Sequence, residues 1–161
     1  MRYTTQDYIL EFCPLKTVEM IEANPTEFTE AWWTETISVV SEEVDATVGN
    51  GMPLIFEDNT QRFPNIDDDP STPIIIRDAA SKIGHYRVNL KLKEINRGGK
   101  TDPSGIISYN SALKTLEAVA MRKKHIVIGG IDYTKLYQPK VDSKYYRKPF
   151  TRKNFKKFDN V

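Results

Sequence analysis

The 161-residue sequence predicts a mainly α-helical protein. The expected architecture is a bundle of about five helices with two long antiparallel members, a long acidic loop and an extended C-terminal arm. Three observations predict it. Apolar residues recur at three- and four-residue steps over three long segments, the spacing of a single helix face. Proline, glycine and asparagine punctuate the chain where those segments stop. Aliphatic residues become sparse after residue 128, so every long apolar stripe falls in residues 1–128. The chain is therefore read as a helical domain, 1–128, followed by a basic, aromatic arm, 129–161.

Thr4 or Thr5 is expected to cap a first short helix, and Thr4 with Asp7 has capping-box spacing, Asp standing where Glu or Gln is more usual. Tyr8, Ile9 and Phe12 would be its buried side, and Pro14 ends it. Leu15, Val18 and Ile21 suit a second short helix stopped at Asn24-Pro25. A long third helix begins near Thr29, with Trp33, Ile37, Val40, Val44 and Val48 as one stripe. Gly49-Asn50-Gly51 stops it and offers a left-handed cap. Residues 52–72 contain Pro53, Pro64, Pro70 and Asp67-Asp68-Asp69 and carry a net charge of −4, which reads as a long irregular loop.

Thr72-Pro73 opens a fourth helix, Thr as cap and Pro in the first position. Its stripe runs through Ile76, Ala79, Ala80, Ile83, Tyr86 and Leu90 to about Ile95, where Arg97-Gly98-Gly99 breaks it. Asp102-Pro103 opens a fifth helix to about Lys124, with Ile106, Tyr109, Leu113, Leu116 and Ala120 inward. Arg122-Lys123-Lys124 complement its dipole. Helices four and five are expected to pair antiparallel, supported by helix three. His125 to Ile128 reads as a short strand-like piece, and Gly129-Gly130 as a hinge.

The net charge of +1 conceals an asymmetry. Residues 129–161 hold nine Lys/Arg against three Asp, a charge of +6, which leaves −5 on residues 1–128. Seven of the 17 aromatics also lie in that arm, beside only four aliphatics, Ile131, Leu136, Val141 and Val161. Such a segment cannot close a core of its own. Tyr145, Tyr146, Phe150, Phe155 and Phe158 are its candidate anchors, interleaved with Arg147, Lys148, Arg152 and Lys156. The pattern suits stacking on single-stranded nucleic acid with phosphate neutralisation. It equally suits an extended arm lying on an acidic protein surface.

Little in the sequence points to catalysis. Cys13 is the single cysteine, which rules out an internal disulfide and a cysteine-based zinc site. His85 and His125 fall on different elements; His85 reads as a hydrogen-bonded, partly buried side chain, His125 as a partner for helix-terminal carbonyls. Gly98-Gly99-Lys100-Thr101 ends like a phosphate-binding loop, but Glu94 stands where the upstream glycine belongs and a helix precedes it instead of a strand. Asp67, Asp68 and Asp69 lack the alternating spacing of a calcium loop and read as a solvated channel or interface loop. Glu42, Glu43 and Asp45 read as a solvated helix face. No nucleophile, base and oxyanion stabiliser assemble in one place, so no enzyme activity, cofactor or metal is expected. No apolar run is long enough to span a bilayer, and the first ten residues lack the apolar core of a signal peptide, so an intracellular, non-secreted protein is expected. Trp32-Trp33 is distinctive: neighbouring helical residues point about 100° apart. Trp33 belongs to the stripe, which leaves Trp32 for a subunit interface or for packing beneath the N-terminal helices.

The order of these motifs resembles a known family. Tyr3-Thr4-Thr5-Gln6-Asp7 opening a short helix is similar to the start of small head–tail connector (head-completion, adaptor) proteins of tailed phages, especially the Mu-like group. Glu42-Glu43-Val44-Asp45, then Gly51-Met52-Pro53-Leu54, resembles that family's third helix and its exit. Pro73 with Ile76, Ala79, Ile83 and Tyr86, then Tyr109, Ala112, Leu113 and Leu116, resembles its fourth and fifth helices. Lys123-Lys124-His125-Ile126-Val127-Ile128 is similar to the segment closing its domain. The likeness covers residues 1–128; the long loop, the Arg97–Gly105 turn and the basic arm depart from it. It implies a non-enzymatic virion protein of the neck, a homo-oligomeric ring of about twelve copies. That ring would sit between portal and tail or neck proteins and extend the channel for double-stranded DNA without sequence-specific binding. The competing expectation is a nucleic-acid-binding or packaging-associated protein using the basic arm.

Overall fold

The computed structural model describes residues 2–52, 54, 63, 72–96, 103–128 and 130–134. These residues are mainly helical: α1 (Gln6–Glu11), α2 (Leu15–Glu22), α3 (Glu30–Gly49), α4 (Ile74–Ile95) and α5 (Pro103–Ala120). Two two-residue strands follow, β1 (Val127–Ile128) and β2 (Ile131–Asp132), paired antiparallel with Val127 opposite Asp132 and Ile128 opposite Ile131.

Six residues are too few to hold a helix in water, so α1 depends on its cap and its packing. Thr5 is the cap, its side chain accepting from the Tyr8 amide. Thr4 is fully buried, and its hydroxyl meets Ser81 Oγ of α4 at 2.7 Å. Thr29 caps α3 by accepting from the Trp32 amide. Pro73, not Thr72, occupies the N-cap of α4, one residue later than the Thr-Pro signal suggests.

The core falls into two clusters. Val40, Val44 and Val48 of α3 meet Ile76, Ala79, Ala80 and Ile83 of α4 and Ala112, Leu116 and Val119 of α5. Trp33 and Ile37, on the first half of α3, join Ile9, Ile21, Phe28, Val88 and Leu92. One continuous stripe on α3 thus feeds both clusters, its second half shared with α4 and α5 and its first half with α4 and residues of the short helices.

Pairwise contacts set the directions. Gly105 of α5 lies against the Asn89 side chain, and the Tyr109 ring stacks on Tyr86 at 4.6 Å, so α4 and α5 run in opposite senses. Tyr109 also reaches Glu43 while Ala120 touches Gly51, so α3 and α5 run in the same sense. A Cβ at Gly51 would sit 2.3 Å from the Ala120 carbonyl oxygen. Only glycine permits that approach. This contact is what Gly51 contributes: Asn50, the C-cap, has right-handed backbone (φ −62°), so the expected left-handed cap does not form.

Three stripe positions face outward. Leu15 is 75% exposed at the first position of α2, Leu90 is 43% exposed, and Ile106 is 49% exposed because Gly105, not Ile106, meets α4 in the first turn of α5.

α5 stops at Ala120, short of Lys124. The Lys123 amide bonds the Ala118 carbonyl and the Arg122 amide bonds that of Val119, with Arg122 at φ 56°. This is a Schellman stop with arginine where glycine is favoured. Arg122→Gly should therefore raise unfolding free energy by about 0.5–1 kcal/mol, relief of the strained φ exceeding the entropy that glycine adds to the unfolded chain. Urea titration with unchanged m checks it.

The chain reverses between β1 and β2, where Gly130 takes φ 82°. Past the hairpin, Thr134 is fully buried and Tyr133 lies against the first cluster.

Candidate partner-binding surface

The best-developed polar chemistry lies along α3. Tyr3 is almost fully buried; its amide donates to Ser41 Oγ and its hydroxyl to Asp45 Oδ1 at 2.7 Å. Ser41 and Ser81 pass their own protons to the Ile37 and Arg77 carbonyls one turn back. The segment before α1 is thereby fastened to both α3 and α4. Two residues further back along α3, Glu43 accepts from Tyr109 Oη at 2.6 Å and from Arg87 at 3.4 Å. Of the three carboxylates expected to form a solvated face, only Glu42 is exposed; Glu43 and Asp45 tie elements together.

These bonds shift the phenols. Burial, then the Asp45 carboxylate, pushes Tyr3 far above its usual range. Burial holds the Asp45 carboxyl above its ordinary value, and the Tyr3 hydroxyl partly offsets this. The hydrogen bond to Glu43, followed by burial, pushes Tyr109 up to about 12 from 10.0. Above pH 10 the unfolded chain releases tyrosine protons that the folded chain keeps, so stability falls with rising pH. For Tyr109 that loss spans pH 10 to about 12. Tyr109→Phe should flatten that part of a stability–pH curve measured by chemical denaturation; an unchanged slope would show that the Glu43 bond is not formed in solution.

Trp32 is half-buried. Its ring meets Phe28 and Trp33 edge-on at 4.9 Å in each case, and it also lines a groove of about 340 Å³ between α3 and α4 with Leu90, Arg87 and Lys91. Arg87 pairs with Glu43, and Lys91 with Glu27 at 3.0 Å and Glu94 at 3.7 Å. The Glu27 carboxylate holds the Lys91 ammonium above its ordinary value.

A second groove, about 530 Å³, lies between α3 and α5. Ala46, Leu113, Ala120 and Met121 supply its apolar lining, and its two charged lining residues are both carboxylates, Glu43 and Glu117.

At the hairpin, His125 Nδ1 lies 3.0 Å from Asp132 Oδ2 and 3.1 Å from Thr134 Oγ1. The Thr134 amide and hydroxyl both donate to Asp132 Oδ1. His125 was expected to serve helix-terminal carbonyls; the hairpin brings Asp132 within reach instead. His85 is more buried than expected and bonds Asn89 at 3.1 Å.

The arm residues Tyr145, Tyr146, Arg147, Lys148, Phe150, Arg152, Phe155, Lys156 and Phe158 lie outside the described residues, as do Asp67, Asp68, Asp69 and the Gly98–Thr101 turn. Among the described residues no group of three His, Cys, Asp or Glu converges, and no helix is long and apolar enough to cross a membrane. Compared with known proteins, the chain matches no family model, no curated protein and no solved structure.

Proposed function

We propose that this chain is a structural virion protein: a head–tail connector or adaptor that forms an oligomeric ring between portal and tail and extends the DNA channel. The observation that carries the reading is the division of charge and aromatics, −5 on residues 1–128 against +6 and seven aromatics on residues 129–161. Negative walls disfavour the phosphate contacts that would stall sliding DNA. A basic aromatic arm supplies the grip on an acidic neighbour. The motif order that resembles phage connectors supports the same assignment, and the helical body is compatible with it. In this reading α4 and α5 form the long antiparallel pair of the connector domain, and Asp67, Asp68 and Asp69 belong to an acidic loop at the channel or a subunit interface. The arm docks on other subunits of the neck, whether the acidic body of an adjacent copy or an acidic portal or tail surface; the ring works in the virion neck without enzyme activity, and it is assembled in the host cytoplasm.

Deleting the gene should leave DNA-filled heads and finished tails unjoined when lysates are counted by electron microscopy. Joined, infectious particles in the deletion would reject the assignment. Genes for a portal and for tail proteins beside this one would support it at little cost.

The arm's composition also favours a second reading, a nucleic-acid-binding or packaging-associated protein. That reading predicts DNA retention by the full chain that falls steeply with salt, in proportion to the phosphates neutralised. Retention independent of the arm's lysines and arginines would reject it.

A further inference from the structure

The two grooves flanking α3 differ in one decisive respect. The α3–α4 groove already contains Arg87 and Lys91, both in ion pairs. The α3–α5 groove has carboxylates and no Lys or Arg among its lining residues. Glu43 stands on one wall, bonded to Tyr109 and Arg87, and Glu117 stands exposed on the other. Between them the surface is apolar, with Leu113 half-buried and Met121 62% exposed. Gly51 against the Ala120 backbone brings the helices together at the far end.

Residues 144–158 are the chemical complement: seven Lys/Arg, five aromatics and no acidic residue. We propose that the α3–α5 groove receives this segment from a second copy of the chain. The inference rests on the ring assigned above. A ring requires a head-to-tail contact between two different surfaces of one chain, and arm and groove are such a pair. Two bodies of charge −5 repel each other, and an arm of +6 laid across the junction reverses that sign. The groove wall from Glu43 to Asn50 follows seven residues of α3 and its cap, about 10 Å, which about three extended residues span. One aromatic with its flanking bases fills that length. Phe150 meets Leu113 and Met121, and Arg152 reaches Glu117, where its planar fork suits a carboxylate.

The test uses the full chain with p-benzoylphenylalanine in place of Phe150, prepared in isotopically light and heavy forms and mixed before irradiation. Mass spectrometry should find cross-links to residues 46–51 and 113–121, with mixed light–heavy pairs. Combining Ala46→Arg with Glu117→Lys, both at exposed positions, should lower that yield about tenfold, corresponding to about 1.4 kcal/mol, with an unchanged circular-dichroism spectrum. Cross-links to other surfaces, or none where rings form, overturn the groove while leaving the ring. Cross-links confined to unmixed pairs place the segment on its own chain and overturn the second-copy assignment. Mixed cross-links at the groove without any ring by microscopy sustain the contact and overturn the connector reading.

Discussion

Full-length protein carrying serine at Tyr145, Tyr146, Phe150, Phe155 and Phe158 is expected to keep its helical spectrum and melting transition and to lose the joining of heads to tails. The two halves of this expectation have separate physical grounds. The apolar stripes of the five helices lie before residue 129, so the helical body is expected to close its core without the five rings. The arm, by contrast, offers few aliphatics, and its binding must offset the cost of ordering a long segment. Aromatic anchors are the side chains able to do so, because they bury large area with few rotatable bonds. Removing five leaves charge alone, which salt screens over about 8 Å at physiological ionic strength. Plaque counts and micrographs of complemented lysates check the outcome. Infectious, fully assembled particles would make the arm a bystander.

The second large effect concerns the other end of the chain. Tyr3→Ala should lower unfolding free energy by about 3–5 kcal/mol, the range for truncating a buried aromatic. Tyr3 is among the largest fully buried side chains and packs in the cluster shared by α3, α4 and α5. Its loss opens a cavity and leaves Asp45 without the phenol that donates to it. Tyr3→Phe separates the two contributions: it keeps the ring and should cost only about 1–3 kcal/mol, the penalty of a buried acceptor deprived of its donor. Urea titrations of both variants decide the matter. Equal losses would mean that the hydroxyl, not the ring, anchors the N-terminal segment.

Local signals explain which parts of this molecule were legible. Trp33, Ile37, Val40, Val44 and Val48 repeat at helical steps along the 20-residue α3, and each is buried. Pro73 and Pro103 mark helix beginnings because proline lacks the amide that the first turn leaves unbonded; Pro14, read as the stop of α1, also stands at the N-cap of α2. Glu43 and Asp45 misled because their partners are remote: Tyr109 is 66 residues away and Tyr3 is 42. A carboxylate's own neighbours do not reveal which distant phenol reaches it. The hairpin was recoverable. In the sequence, Ile126-Val127-Ile128 followed by two glycines and Ile131 matches a short β-branched run with a turn signal, but strands of two residues give no alternation to count. The α3–α5 groove left no signal at all, since it arises from the small residues Ala46, Gly51 and Ala120 meeting across two helices.

Electron microscopy of the purified full-length protein tests the connector assignment most directly. At concentrations approaching those of an assembling neck, the account predicts closed rings of about twelve copies with an open axial channel. Replacing the five arm aromatics with serine should return the population to single copies. A protein that stays monomeric at every concentration, alone and with portal present, would contradict the assignment.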